Sequence, residues 1–224
     1  MNRRTVVLGA AALSVIAFAG GTAVIRRQRE AEAEAAGVAA AAAPPAEDTL
    51  LIRAYSPILG PTDAPVTLVE FFGPSCEACR AFHPVVNGLR QEFPDQLRVV
   101  LRYAALHPGS DEAVRILEGA RRQDLFEPVL EALLAQQPIW AAHGQPQLDL
   151  AWQAAGAAGM NVEKGMAERL HPGNTAILNQ EAADMTALRI AGTPTFFLNG
   201  KPILNPDFET LPAAIRAAVA QAQG

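Results

Sequence analysis

Two cysteines, Cys76 and Cys79, are all that the 224 residues contain, and that scarcity excludes a fold held by a disulfide framework. A bridge between residues so close in sequence removes little entropy from the unfolded chain. There is no second cysteine pair either, so a zinc site would lack its ordinary four ligands. His83, four residues after Cys79, adds at most one. Runs of Lys and Arg are missing from the globular part. Five of the 18 basic and five of the 23 acidic residues precede Thr49, so the remainder carries the whole net charge of −5. No basic patch is left to hold nucleic acid. Residues 30–48 have no large apolar residues at heptad spacing, which disfavours a coiled coil there. Apolar residues, by contrast, make up half of the chain, enough for a substantial core without covalent help.

Charge is also absent from Thr5 to Ile25, a run that follows Arg3 and Arg4 and precedes Arg26, Arg27 and Arg29. As a helix it would reach about 30 Å, the thickness of a bilayer core. A signal peptide cleaved after Ala17-Phe18-Ala19 competes with this reading. We prefer an uncleaved anchor, because the apolar run continues past that site and the arginines beyond it resemble the far flank of a span. Arg3-Arg4-Thr5-Val6-Val7 matches a twin-arginine export signal only in part. The expected organisation is a signal anchor or signal peptide over 1–29, an Ala/Pro-rich tether over 30–53, and one domain over 54–224.

Within that domain Val66 to Phe72 reads as a strand, Gly73-Pro74 breaks it, and Ala78 to Glu92 has helix formers with apolar residues at helical spacing. Cys76 is thereby placed at a helix N-terminus. The helix from Glu77 to about Phe93 has Ala78, Phe82, Val85, Val86 and Leu89 as its expected buried side, and Pro84 should bend it. Gln96 to Tyr103 is a second strand, and the two form a parallel β-α-β unit. Only helical patterning follows. Helices are expected at Asp111 to Arg122, Leu125 to Ala135, Gln147 to Ala155, Val162 to Leu170 and Thr175 to Leu188, with breaks at Gln137-Pro138 and Pro172-Gly173 among others. We read about 110–189 as an insertion. Thr195 to Leu198, Asn199-Gly200 and Lys201 to Leu204 form a hairpin, and Asp207 to Gln223 a final helix with Leu211, Ile215, Ala218 and Val219 inward. Glu70, the one charge inside the first strand, is expected to be buried with a raised pKa and able to relay a proton to a thiol. Trp140 and Trp152 are assigned to the core of the helical block. Glu118, Arg121 and Arg122 read as a solvated helix face, His83 as a residue near the site's rim, and His107, His143 and His171 as solvated or capping groups.

Strand, Cys76-Glu77-Ala78-Cys79 at a helix start, helix, strand, helical insertion, Gly192-Thr193-Pro194-Thr195 before a hairpin, and a last helix: this order resembles the thioredoxin superfamily. The insertion makes it similar to the DsbA-like thiol-disulfide oxidoreductases. The resemblance implies an α/β thioredoxin fold, with Cys76 as the exposed attacking cysteine and Cys79 as the buried resolving one. It also implies Glu70 as the buried acid, and Pro194 as a cis-proline that turns the Thr193 backbone toward a bound peptide. It implies no cofactor and no metal. The partners it implies are protein or peptide thiols and disulfides, with a membrane or soluble redox partner, on the periplasmic face of the inner membrane.

The residues themselves carry the chemistry. At the first turn of a helix, residues i and i+3 share a face, and the free N–H groups and dipole there stabilise a thiolate. Glu77-Ala78 departs from the strongly oxidising DsbA motif, which has a proline and a histidine between its cysteines. A carboxylate beside Cys76 is expected to oppose its thiolate, with Arg80 compensating in part, so the couple should be less oxidising than DsbA. The alternative in a different class is a tethered binding or scaffold domain that keeps the fold without redox turnover.

Overall fold

The computed structural model describes residues 49–223. The membrane segment expected over 1–29 and the tether up to residue 48 lie outside them. Among the described residues no helix is long and apolar enough to cross a membrane.

Five strands form one sheet in the order β1-β3-β2-β4-β5: β1 (Ile58–Leu59), β2 (Val66–Phe72), β3 (Leu97–Tyr103), β4 (Thr195–Leu198) and β5 (Lys201–Pro202). The expected parallel unit is present, with Val66 opposite Leu97 and Phe72 opposite Tyr103. The hairpin runs antiparallel, β4 pairing with β2 and then with β5. It ends at Pro202 rather than Leu204. The edge strand β1, antiparallel to β3, was not expected.

All fourteen residues of β2 and β3 are buried, because both faces of the sheet are covered. Leu68, Phe72, Leu97, Val99, Leu101, Tyr103 and Phe196 point to one core, with Cys76, Cys79 and most of the helices. Val69, Phe71, Val100 and Phe197 point to a smaller one, with Ile52 and Met185. The period of two thus divides the strands between two layers.

Helix α1 spans Glu77–Glu92 and buries Cys79, Phe82, Val86 and Leu89. Ala78, expected inward, is exposed, since the buried stripe begins one residue later, at the second cysteine. Val85 is half-buried against the same core. The inserted helices are α2 (Ser110–Arg121), α3 (Phe126–Trp140), α4 (Leu148–Ala157), α5 (Val162–Glu168) and α6 (Pro172–Ala187). The chain closes on α7 (Thr210–Ala222), with Leu211, Ile215 and Val219 buried. One proline does not act as expected. Pro138 lies inside α3, where the Trp140 indole N–H donates to the Leu133 carbonyl at 2.7 Å, in the turn that the proline ring disturbs. Pro172 opens α6 at a position where no N–H is needed. His171 caps that helix, its Nδ1 accepting the Gly173 N–H, which agrees with a capping role. Trp140 and Trp152 are in the core of the helical block.

Glu118 is not solvated: it is buried, accepts the Tyr103 hydroxyl at 2.8 Å and pairs with Arg121 at 2.6 Å. A tyrosine buried on β3 needs an acceptor, and the face of α2 that packs there supplies it. Arg122 is tied to Glu168 and Asn174.

Candidate active site

Cys76 ends the loop leaving β2 and is the N-cap of α1, in extended conformation, its Sγ accepting the Cys79 backbone N–H at 3.3 Å. Sulfur here takes the place of the usual capping oxygen and faces the free N–H groups of the helix. Gly73 permits the turn. A Cβ there would lie 2.9 Å from the Ala104 carbonyl and 3.3 Å from Ser110 Oγ, so only glycine lets the loops leaving β2 and β3 approach this closely. Ala104 N–H bonds the Phe72 carbonyl at 2.8 Å, and the Ser75 and Ser110 hydroxyls meet at 2.5 Å.

Both cysteines are free thiols. Cys79 is 2% exposed, as expected of a resolving cysteine, but Cys76, expected exposed, is only 3% exposed. The cover comes from across the site: the Thr193-Pro194 peptide is cis, and the Cys76 thiol donates to the Thr193 carbonyl at 3.4 Å. That carbonyl therefore points at sulfur in the free protein. Cys76 nonetheless lines a cleft of about 430 Å³, together with Ser75, Glu77, His107, Ala141 and Thr193 among others. Ala141 follows α3, so the inserted helical block supplies one wall.

The hydrogen bond from Cys79 is the main reason that the Cys76 thiol is pulled down to about 5. Burial works against this, and bonds from Thr193 and the Cys79 N–H, with the charge of His107, work with it. The Thr193 hydroxyl has no partner while Cys76 is a thiol and is the donor available once the thiolate forms. Cys79 is pushed far up by donating to Cys76, by burial and by the Glu70 charge. The two thiols are thus shifted in opposite directions.

Glu70, 4% exposed on β2, is raised to about 8 by burial first and by the Cys76 charge second. It lies on the face of the sheet that carries the cysteines, by the alternation along β2. Glu77 and Ala78 are both exposed on the rim. Glu77 is absent from the leading influences on Cys76, so the opposition expected of it is not what sets the thiol. Arg80, whose Nε donates to Gln137 Oε1 at 3.1 Å, is likewise absent from those influences. His83 is held by Glu131 at 2.8 Å and by Asn87, with α3, and does not line the cleft.

Two residues of the site were missed in the sequence. Gln137, buried in α3, donates through Nε2 to the carbonyls of Pro74 at 2.8 Å and Cys76 at 2.9 Å, and so fixes the turn that presents the sulfur. Reading Gln137-Pro138 as a helix break hid it. His107, read as solvated, is exposed but stands in the wall of the cysteine cleft. Its nearness to Ser110, which starts the next helix, was the available signal.

The model of the thioredoxin family matches residues 53–217. Among curated proteins, the Na(+)/H(+) antiporter NhaA of Herminiimonas arsenicoxydans is 32% identical over 162 residues, covering 72% of this chain and 25% of that protein. The chain thus spans about a quarter of that relative's length. Among solved structures, a thioredoxin-like oxidoreductase from Silicibacter pomeroyi DSS-3 superposes with a TM-score of 0.63 at 29% identity, over 75% of this chain and 92% of that one. Wolbachia pipientis alpha-DsbA1 superposes with a TM-score of 0.65 over 76% of this chain and 94% of that one. At 16% identity that likeness is one of fold.

Proposed function

The chain belongs to the thioredoxin family, with a DsbA-like fold, and from that premise we propose that it is a protein thiol-disulfide oxidoreductase working through a Cys76/Cys79 couple. The observation that carries the reading is the Cys76 sulfur at the N-cap of α1, bonded by the Cys79 N–H at 3.3 Å and opening on the cleft beside Thr193 and cis-Pro194. In the reducing direction the Cys76 thiolate attacks a substrate disulfide, forms a mixed disulfide and releases one substrate thiolate. Cys79 gives its proton to the Glu70 carboxylate and attacks the Cys76 sulfur, releasing the second thiolate and leaving the Cys76–Cys79 disulfide. Two electrons pass to the substrate. Oxidation of a dithiol is the same sequence reversed. For a bound peptide to use the Thr193 backbone, it must displace the Cys76–Thr193 bond, so substrate entry itself frees the nucleophile.

We place the poise below that of DsbA. Glu77-Ala78 stands where the strongly oxidising motif has a proline and a histidine, so the thiolate lacks that motif's extra stabilisation, and a less stabilised thiolate leaves a lower potential. The substrates we propose are extracytoplasmic proteins, with the N-terminal segment as membrane anchor, on the strength of its uncharged run between arginines. The transport activity of the antiporter is not carried over from a match to a quarter of it.

The test is trapping with Cys79→Ala. Client proteins should accumulate as mixed disulfides on Cys76, and Cys76 should be the one fast-alkylating thiol of the reduced protein. No adducts together with slow alkylation would leave the binding or scaffold role instead. Equilibration with glutathione tests the poise: a potential as high as about −120 mV would reject it.

A further inference from the structure

We infer that His107 is a positioning residue of the exchange reaction, an imidazole in the wall of the Cys76 cleft that holds the thiolate and so sets the redox poise. The inference rests on the exchange reading given above. Its geometry is built by the two loops that meet at Gly73. Ala104 N–H is bonded to the Phe72 carbonyl at 2.8 Å, and the Ser75 and Ser110 hydroxyls meet at 2.5 Å. Ser110 in turn donates its N–H to the His107 carbonyl at 3.1 Å. The residue before the nucleophile is thus tied to the turn that carries the histidine. Both side chains line the same cleft of about 430 Å³.

Among the described residues, no other that lines the cleft carries a positive charge. On α1, Cys79 is a thiol and Glu77 an acid on the rim, while Arg80 turns its Nε to Gln137 and does not line the cleft. On β2, Glu70 is an acid, and Thr193 offers only a hydroxyl and a carbonyl. Glu77 lines the same cleft as His107, and Asp111 lies in the first turn of α2. The charge of His107 is also among the influences that lower the Cys76 thiol. A thiolate stabilised this way favours the reduced form and raises the potential.

The experiment uses the full chain and its equilibrium with glutathione, with the thiolate ultraviolet absorbance followed in parallel. His107→Gln should shift the equilibrium toward the disulfide by about three- to tenfold, a fall of about 14 to 30 mV at 29.6 mV per tenfold. His107→Lys, which keeps a charge, should stay close to wild type. A His107→Gln potential equal to that of wild type overturns the inference. Failure of wild type itself to equilibrate with glutathione would instead remove the exchange reading.

Discussion

Glu70 and Cys76 have opposite demands on pH. Glu70 ionises near 4.5 in an unfolded chain and near 8 when folded, so between those values the native protein holds a proton that the unfolded one has lost, and its stability falls as pH rises. Cys76 is lowered from 9.0 to about 5, so across that window the native protein has lost a proton that the unfolded one keeps, and stability rises. In the dithiol form the two slopes oppose each other from about pH 5 to 8. The disulfide form has no Cys76 thiol to titrate, while the burial that chiefly raises Glu70 stays. Denaturant melts should therefore show the disulfide form losing stability from pH 5 to 8 while the dithiol form stays nearly level. Glu70→Gln should flatten the disulfide slope and raise its stability at pH 8 by on the order of 2 kcal/mol. The same variant should slow resolution of the mixed disulfide by on the order of 100-fold above about pH 8, where the Glu70 carboxylate is available as a general base. Equal pH slopes in the two redox forms of wild type would contradict this account. Burial of Glu70 was readable because an acid inside a seven-residue apolar run has nowhere else to go. The cover over Cys76 was not, because it comes from Thr193, more than a hundred residues later.

Elements with a local signature were legible. The β2-α1-β3 unit and the Asn199-Gly200 hairpin fall close to where period and turn residues put them. Strand β1, two residues long, has no period to read and exists because β3 offers an edge. Pro138 shows the opposite failure, a strong local signal overruled by packing: Trp140 is fully buried and its indole satisfies a carbonyl of the disturbed turn, so α3 continues. That continuation carries Gln137 to the Pro74 and Cys76 carbonyls. Gln137→Ala should therefore leave two carbonyls without their side-chain donor and cost about 1–3 kcal/mol in urea unfolding. Gln137→Glu should cost more at neutral pH, since a carboxylate would face both carbonyls. If the alanine variant unfolds at the wild-type midpoint with an unchanged slope, the clamp contributes nothing to stability.

On the scale of the whole molecule the sheet separates redox chemistry from an electrostatic lock. On the face opposite the cysteines, Arg102 is 0% exposed under Phe71, with its guanidinium 4.9 Å from the ring centroid. It bonds Glu181 at 3.0 Å and Asp184 at 2.6 Å, both on α6, and the Leu50 carbonyl at 2.6 Å. Arg53 pairs with Asp184 as well, at 2.6 Å. Burial raises the Asp184 carboxyl, but the bonds from Arg53, Gln180 and Arg102 outweigh it and hold the group at about 2. In Glu181 burial prevails over the same arginine and the pKa is raised. The lock thus joins the segment before β1, the central sheet and the last inserted helix, three pieces whose sequence separation gives no hint that they meet. Arginines on a strand read as solvent-facing residues, and only the second layer of cover makes Arg102 internal. Removing it strands Glu181, while Asp184 keeps Arg53 and Gln180, so Arg102→Met should cost about 3–5 kcal/mol. Without the arginine the Glu181 carboxyl must ionise in an apolar site or stay protonated, so its pKa climbs further and the native state binds a proton that the unfolded chain releases. The deficit should therefore narrow as pH falls toward 5, as measured by urea unfolding at several pH values. Because Cys76 faces the other layer, the glutathione equilibrium of the folded variant should match wild type. A shifted potential at unchanged Cys76 reactivity would mean that strain crosses the sheet, and the two layers would then have to be treated as one.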